Sequence, residues 1–268
     1  MAQNNKEQKI IVWCNTSNHL KNAILDAIYL ASVFKKDLCL FANYKNAKEK
    51  KQLEERIQHY ASFIHKSIPS LTFSTLILKG KLKEIIIPLG NEYNGIILCC
   101  GSKVSNKLLQ SFYKSQFPFF FSSDRVSGFK NGKLKTITVP VDFRESTKDA
   151  LIWASYFTRF NGSSVQLLTA NDKSDSQHEG RVKNNINSAI RFFDKINHTP
   201  IIDYSNKSSW TIHQEAFKQK SDLVIFSGSY YVTVFDKLIG SFEKRLINKH
   251  NLPVLLTNPR IENYILCD

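Results

Sequence analysis

The sequence has 268 residues and a net charge of +14, and 42% of its residues are hydrophobic. This composition is typical of a globular protein, and only 10 glycines and 7 prolines exclude a fibrous or intrinsically disordered chain. No apolar run approaches the ~20 residues that cross a bilayer, and residues 1–8 lack the apolar stretch of a signal peptide. We therefore expect a cytoplasmic protein with no membrane partner.

The positive charge is concentrated in the first half of the chain. Residues 1–133 contain 20 Lys and Arg residues against 9 Asp and Glu, whereas residues 134–268 contain 17 against 14. The densest basic cluster, at 45–51, is followed by Glu54 and Glu55, as on a solvated helix face. We therefore expect no nucleic-acid partner, although binding of nucleic acid or an anionic surface by the basic first half stays an open alternative.

The residues with reactive side chains form no familiar site. The five cysteines predict no disulfide framework, because their number is odd and no C-x-x-C is present. Cys99 and Cys100 are interpreted as small residues at a strand end, with a redox pair as the alternative. The seven histidines form no H-x-H or H-E-x-x-H pattern, so we predict no metal site built from side chains. Nucleophile and P-loop motifs are missing as well, and we expect no catalysis.

Strands and helices alternate along the chain. In the first half, apolar strands are predicted near 11–15, 37–41 and 96–100, a long amphipathic helix near 53–64, and a last strand at 117–121. The second half repeats this order. Its predicted strands lie near 136–141, 165–169, 200–204, 223–226 and 253–257, and its predicted helices begin near Ser146, Val182, Trp210 and Ser241.

The chain overlays itself when it is shifted by 127 residues. Asn15 then falls on Asp142, and Gly101 falls on Gly228, and the two positions differ by 86 in residue number in each half. We therefore predict two copies of one domain in tandem, joined by the polar stretch 122–133.

Strands separated by helices imply parallel pairing with right-handed crossovers. The predicted fold class is α/β, with two tandem doubly wound parallel-sheet domains of Rossmann-like type. Ligands of such sheets bind beyond the carboxyl ends of the strands, at the topological switch point. This rule directs attention to the turns that follow Val141 and Ser227.

Several motifs resemble those of the universal stress protein family. They are the opening segments TVPVDF and ALIWA and the closing segments DLVI, GS and LPVLL, at 138–143, 150–154, 222–225, 240–241 and 252–256. The resemblance covers nearly the whole chain and implies a stress-response regulatory or binding protein with domains at 1–126 and 134–268. In this family the last strand of a domain often pairs two domains, which implies a homodimer or an intramolecular pseudo-dimer through 117–121.

The ATP-binding branch of the family has a loop of the form G-x-x-G, nine residues, then G-[S/T]. Glycine N–H groups and a helix N-terminus hold the phosphates there. The resemblance implies an adenine nucleotide, ATP with Mg²⁺, in the second copy. The implied nucleotide-binding residues are Pro140, Asp142, Ala170, Gly228, Gly240, Ser241 and Phe242.

The second copy departs from this loop in two ways. Tyr231 stands where the second glycine is expected, and its bulk crowds a triphosphate. The gap of 12 residues from Gly228 to Gly240 is also one residue shorter than in the pattern. ATP binding is therefore weighed against other functions.

The first copy departs further. Asn15 replaces the acidic residue, and Gly101 to Pro118 spans 17 residues where Gly228 to Pro253 spans 25. The missing stretch includes the Gly-Ser of the phosphate loop. We therefore expect that the first copy has lost its phosphate loop and that Asn15 and Gly101 have structural roles.

Each candidate residue also has a structural interpretation. Asp142 suits a turn or capping acid as well as a nucleoside contact, Gly228 suits a tight turn, and Gly240-Ser241 suits a helix start that binds an anion when one is present. Three hypotheses follow. They are nucleotide sensing by the second copy, a scaffold that binds another protein, and binding of nucleic acid or an anionic surface by the first half.

Overall fold

The structure is a computed structural model that describes residues 7–15, 19–123, 134–170, 176–205, 208–228 and 241–258. The described strands are β1 (Lys9–Trp13), β2 (Asp37–Tyr44), β3 (Phe73–Lys79), β4 (Gly95–Cys100), β5 (Phe119–Phe121), β6 (Thr136–Val141), β7 (Ser164–Ala170), β8 (Ile201–Ser205), β9 (Leu223–Ser227) and β10 (Val254–Thr257). The described helices are α1 (Leu20–Phe34), α2 (Ala47–Ser67), α3 (Leu82–Asn91), α4 (Asn106–Phe112), α5 (Thr147–Asn161), α6 (Ser176–Asp194), α7 (Ser209–Ala216) and α8 (Phe242–Lys249).

The ten strands form one sheet in the order β3-β2-β1-β4-β5-β10-β9-β6-β7-β8. Every described pair of neighbours is parallel except β5 and β10, which pair antiparallel with Phe120 opposite Leu255. The prediction that the phenylalanine-rich segment forms the last strand of its half is confirmed, over Phe119–Phe121. The fold class is also confirmed as α/β with a mostly parallel sheet.

The strand order outward from the central antiparallel pair is the same on both sides. It is β5-β4-β1-β2-β3 on one side and β10-β9-β6-β7-β8 on the other. α1 and α5 each have 15 residues. Both helices end at a residue with left-handed backbone geometry, Lys35 with φ 51° and Gly162 with φ 68°, as a helix C-terminus favours.

Helices cover both faces of the sheet. α1, α2, α5 and α6 contribute to one buried apolar cluster, and α3, α4, α7 and α8 contribute to the other. Both clusters contain residues from both halves. On the first face, Phe34 packs edge-on against Trp153 and Phe157, with ring centroids 6.0 and 5.1 Å away. The apolar faces predicted from helical periodicity are therefore buried against one continuous sheet.

Polar contacts between the halves add to the ladder of β5 and β10. The Asn248 side chain pairs with the backbone of Val104, accepting from its N–H at 2.9 Å and donating to its carbonyl at 3.0 Å. On the opposite face the Tyr29 hydroxyl lies 2.6 Å from Oδ1 of Asn161 and donates to it. Hydrogen bonds therefore join the halves on both faces of the sheet.

The starts of α2 and α5 suit the local sequence, but one expected capping bond is not formed. Asn46 caps α2 by accepting from the N–H of Glu49 at 2.9 Å, as N-cap asparagines do. α5 begins where predicted, but the hydroxyl of Ser146 makes no capping bond and is buried without a partner.

The four described cysteines are buried free thiols. In the described residues, no helix is both long and apolar enough to span a membrane.

Candidate functional site

The turns that follow β6 and β9 lie next to each other at the carboxyl edge of the sheet, because these parallel strands are neighbours. Asp142 follows β6, Gly228 follows β9, and Ser241 precedes α8. The hydroxyl of Ser227 donates to the backbone carbonyl of Ser146 and so connects the two turns. The structure therefore brings these candidate residues to the edge where α/β sheets bind ligands.

The other predicted nucleotide-binding residues lie nearby or outside the described part of the chain. Pro140 lies inside β6, Ala170 is the last residue of β7, and Phe242 is the first residue of α8. Gly240 and Tyr231 lie outside the described residues. The role of this whole set in nucleotide binding stays a prediction.

The carboxylate of Asp142 is occupied by its own turn. Asp142 is 2% exposed. Its Oδ1 accepts from the Arg144 backbone N–H at 2.9 Å and from the Thr147 hydroxyl at 2.7 Å, and its Oδ2 accepts from Nε of Arg144 at 2.6 Å. The amide of Asn185 donates to the backbone carbonyls of Asp142 and Arg144 at 2.8 and 2.9 Å. This is the geometry of a turn-stabilising acid.

His213 completes this polar cluster. Its Nε2 lies 2.8 Å from Nη2 of Arg144 and 3.6 Å from Oδ2 of Asp142. Because a guanidinium has no acceptor, a hydrogen bond between Arg144 and His213 requires that Nε2 of the imidazole accepts. The ring packs edge-on against Phe226 and Phe242, at centroid distances of 5.7 and 5.6 Å. The buried imidazole therefore lies between Phe242 and the pair formed by Asp142 and Arg144.

The charge state of Asp142 follows from two opposing effects. Burial raises the pKa of a carboxyl group, but the Arg144 guanidinium and the hydrogen bonds to the carboxylate outweigh it and lower the pKa of Asp142 below its ordinary value. Asp142 is therefore ionised and already paired. A nucleoside could contact this carboxylate only by displacing part of its present shell.

The presence of glycine at position 228 has a structural reason that involves the other half of the chain. A Cβ at this position would lie 2.6 Å from Cε1 of Phe112, a distance that real Cβ atoms do not show. The N–H of Gly228 donates to the carbonyl of Thr257 at 3.0 Å, so it is engaged in the sheet. Ser241 caps α8, because its hydroxyl accepts from the N–H of Lys244 at 3.3 Å.

A cavity of about 630 Å³ lies at the carboxyl edge of the first half. It is formed by the residues that follow β1, β2 and β3 together with faces of α2 and α4, beside the switch point between β1 and β4. Its lining consists of Trp13, Asn15, Asn43, Lys45, Glu49, Gln52, Leu53, Arg56, Lys81, Leu82, Lys83, Ser105, Lys107, Leu108, Gln110 and Ser111.

The charged side chains of this cavity are strongly unbalanced. Five basic residues, Lys45, Arg56, Lys81, Lys83 and Lys107, face a single carboxylate, Glu49. That carboxylate accepts from the backbone N–H of Lys45 at 2.8 Å and belongs to the first turn of α2. A cavity with this balance attracts anions, because a concave, partly desolvated wall focuses the field of its charges.

Two asparagines hold the ends of β1 and β2 together at the base of the cavity. Asn15 accepts from the N–H of Asn43 at 2.9 Å and donates to its carbonyl at 2.6 Å. The Asn43 side chain accepts from Nε1 of Trp13 at 2.8 Å and donates to the carbonyl of Gly80 at 2.9 Å. Asn15 therefore has the structural role expected from the sequence, and the indole of Trp13 is held in place along the wall.

The sequence indicated the second half as the ligand-binding half, and this cavity was missed. Its cations come from four separate segments that only the parallel sheet brings together, and the cluster at 45–51 resembles a solvated helix face. A usable signal was present: Lys45 and Lys81 each follow closely on a strand, at the carboxyl edge that binds ligands. In the described part of the chain, no group of three or more His, Cys, Asp or Glu residues is placed to hold a metal ion.

The fold and the cavity together define an open α/β protein with a cavity at the carboxyl edge of its sheet. No family model matches the sequence, and no curated protein matches it. The chain is similar to the crystal structure of a universal stress protein from Archaeoglobus fulgidus DSM 4304, with a TM-score of 0.70 and 11% identity over 93% of this chain and 96% of that one.

Two further structures align with the whole chain. A functionally unknown protein from Pseudomonas aeruginosa PAO1 has a TM-score of 0.64 and 13% identity, covering 94% of this chain and 93% of that one. The cytoplasmic domain of a prokaryotic cation chloride cotransporter has a TM-score of 0.56 and 12% identity, covering 96% and 98%. The chain therefore has the universal stress protein fold along nearly its entire length, and the resemblance is confirmed at the level of the fold.

Proposed function

We propose that this protein is a cytoplasmic, non-catalytic regulatory protein of the universal stress type that binds a small anionic ligand in the first-half cavity. The observation that carries the proposal is the cavity itself, in which five cations and one internally bonded carboxylate surround about 630 Å³ at the switch point. This volume suits a nucleotide-sized ligand. Since Glu49, Ser105 and Ser111 of the lining are bonded to backbone groups, its chemistry suits binding better than proton transfer or nucleophilic attack.

We infer that the halves are two copies of one domain, 1–126 and 134–268, that pack as an intramolecular pseudo-dimer. The repeated strand order supports this inference, as do the equal lengths of α1 and α5. The antiparallel pairing of β5 with β10 supplies a local two-fold relation. Under this proposal the first-half cavity and the turns around Asp142 are equivalent positions that have diverged.

The proposal is tested by calorimetric titration of the full chain with ATP as the probe. Wild type is expected to bind, and Lys107→Gln is expected to lose at least about tenfold in affinity (about 1.4 kcal/mol). Lys103→Gln is the matched control, because Lys103 is an exposed lysine of the same segment that does not line the cavity. No binding by wild type, or equal losses in both variants, would refute the assignment.

Adenine-nucleotide binding by the second half is a second candidate. Its support is that Asp142, Ala170, Gly228 and Ser241 all lie at one carboxyl edge. The same titration separates the two sites. A second-half site predicts that Gly240→Ala abolishes ATP binding while Lys107→Gln leaves it intact, with Mg²⁺ present in both cases. The reverse result assigns the ligand to the cavity.

A further inference from the structure

We propose that the first-half cavity selects its ligand by the number of phosphate charges and does not read a nucleobase. The ligand class is a compound with a chain of phosphates, either inorganic or attached to a nucleoside. This inference rests on the proposed function, because it specifies the anion that the cavity binds. The evidence for this inference is that some polar groups of the cavity are already bonded within the protein and others are not.

The groups that could read the edge of a base are engaged within the protein. Base recognition needs hydrogen-bonding groups that face the ligand in a fixed orientation, and side-chain amides and carboxylates are common suppliers of them. The amides of Asn15 and Asn43 are bonded at both ends, to backbone groups and to Trp13. Glu49 accepts from the backbone N–H of Lys45. In the described part of the cavity, these amide and carboxylate groups are therefore engaged within the protein and are not free to read a base.

The remaining polar groups are poorly suited to base recognition. Ser105 caps α4 by accepting from the N–H of Leu108 at 3.2 Å, and the hydroxyl of Ser111 donates to the carbonyl of Lys107 at 3.2 Å. Gln52 and Gln110 are exposed on α2 and α4. Ordering such long side chains costs conformational entropy that a preorganised site avoids.

The lysines, in contrast, are available, whereas the Arg56 guanidinium donates to the backbone carbonyl of Cys14 at 3.4 Å. Among the described residues, the ammonium groups of Lys45, Lys83 and Lys107 have no hydrogen-bond or ion-pair partner. Nζ of Lys81 lies 3.9 Å from Oε1 of Glu84. More than half of each side chain is exposed, so solvent weakens this ion pair. Lysine ammonium groups are flexible point charges that attract phosphate without a fixed geometry. The available groups therefore respond to charge and not to the shape of a base.

The flat wall of Trp13 does not conflict with this selectivity. An indole can stack on any base, because every base has a π-face. Stacking on Trp13, whose ring is held by Asn43 at 2.8 Å, adds affinity without distinguishing adenine from guanine. Nucleoside polyphosphates are therefore expected to bind at least as well as inorganic polyphosphate, whatever their base.

The test compares ATP, GTP, inorganic tripolyphosphate and cyclic AMP by calorimetry on the full chain. Only the binding component that Lys107→Gln removes is assigned to the cavity, and Lys103→Gln serves as the control. ATP and GTP are expected to agree within about fivefold, and tripolyphosphate is expected to bind no more tightly than either. Cyclic AMP, with one negative charge, is expected to bind at least about tenfold more weakly than ATP. Raising the salt concentration is expected to weaken all three polyphosphates together, because salt screens the lysines.

Other results would overturn either this inference alone or the proposed function as well. ATP and GTP affinities that differ by about tenfold or more would show that the base is read and would overturn this inference, as would a failure of tripolyphosphate to bind, while the proposed function would stand. Cyclic AMP binding as tightly as ATP would overturn selection by charge. If none of the four probes binds wild type, the proposed function fails, and this inference fails with it. Lys83→Gln provides a second variant, with the same expected loss for every polyphosphate.

Discussion

Asp26 offers a direct measurement of how this fold tolerates a buried carboxyl group. The residue lies on α1, is 1% exposed, and its Oδ1 has no hydrogen-bond partner. Burial raises the pKa of Asp26 to about 7, and the nearby hydroxyl of Ser122 offsets this only in part. In the unfolded chain the carboxyl group titrates near pH 3.8. Between these values the folded state holds a proton that the unfolded state has released.

The sign of the pH dependence follows from this difference. Below about pH 4 both states are protonated and Asp26 costs nothing. As the pH rises toward 7 the unfolded state gains by ionising, so the free energy of unfolding falls. A pKa change from 3.8 to about 7 corresponds to a loss of about 4 kcal/mol. Asp149, whose pKa is also raised to about 7, first by burial and then by Glu145, contributes in the same direction.

Asp26→Asn removes the ionisation but leaves a buried amide, which itself costs about 1–3 kcal/mol when it lacks partners. We therefore expect the variant to be about 2 kcal/mol more stable than wild type at pH 8, with a Tm about 4–8 °C higher. The two proteins are expected to be nearly equal at pH 5. Urea unfolding followed by circular dichroism at pH 5, 6, 7 and 8 measures this difference.

Ser122→Ala is the control, because it changes the neighbour of the carboxyl group without removing the charge. It is expected to retain the wild-type decline in stability with pH. The reasoning is refuted if Asp26→Asn shows the same decline as wild type, or if it is destabilised equally at every pH. Either result would show that Asp26 is hydrated or paired in the folded protein.

Three further substitutions test the contacts described above. Arg144→Met is expected to destabilise the fold by about 3 kcal/mol at pH 7, because Asp142 stays buried without its guanidinium. Without Arg144, burial raises the pKa of Asp142, so the loss should shrink as the pH falls and this carboxyl group takes up a proton in the variant first; an equal loss at about pH 3 would contradict this. Gly228→Ala is expected to cost about 1–3 kcal/mol through the clash with Phe112, and adding Phe112→Leu should restore part of it; a double variant no better than the sum of both losses would argue against the clash. Asn248→Ala removes two hydrogen bonds between the halves and should lower the free energy of unfolding by about 2 kcal/mol, as measured in urea. An unchanged free energy of unfolding would contradict this prediction.

Much of the secondary structure could be predicted because its causes are local. The strand at 136–141 and the helix that ends before Gly162 follow from apolar periodicity and from the backbone freedom of glycine. The offset of 127 residues made the two halves predictable from each other. Ser146 failed as a cap, because the geometry of a turn depends on neighbours that the local sequence does not contain.

The candidate site was predictable in part. The position of Asp142 and Gly228 at the carboxyl edge followed from strand order and from a family resemblance. The partners of these residues did not: Arg144 is two residues from Asp142, but His213 comes from α7, and Phe112 comes from the other half. Such contacts join segments 69 residues apart or more, and no local pattern marks them.

By itself the sequence determined the class of fold and the excess of positive charge, and it predicted the repeat, because periodicity, spacing and composition are properties of residues that lie close together or recur at a constant interval. Only the tertiary structure decided where that charge collects. Five basic residues from separate segments meet at one edge because parallel strands place all their carboxyl ends on the same side. The structure also decided which polar groups remain available, since hydrogen bonds between separate segments engage Asn15 and Asn43. Among the described residues, the ammonium groups of Lys45, Lys83 and Lys107 have no such partner.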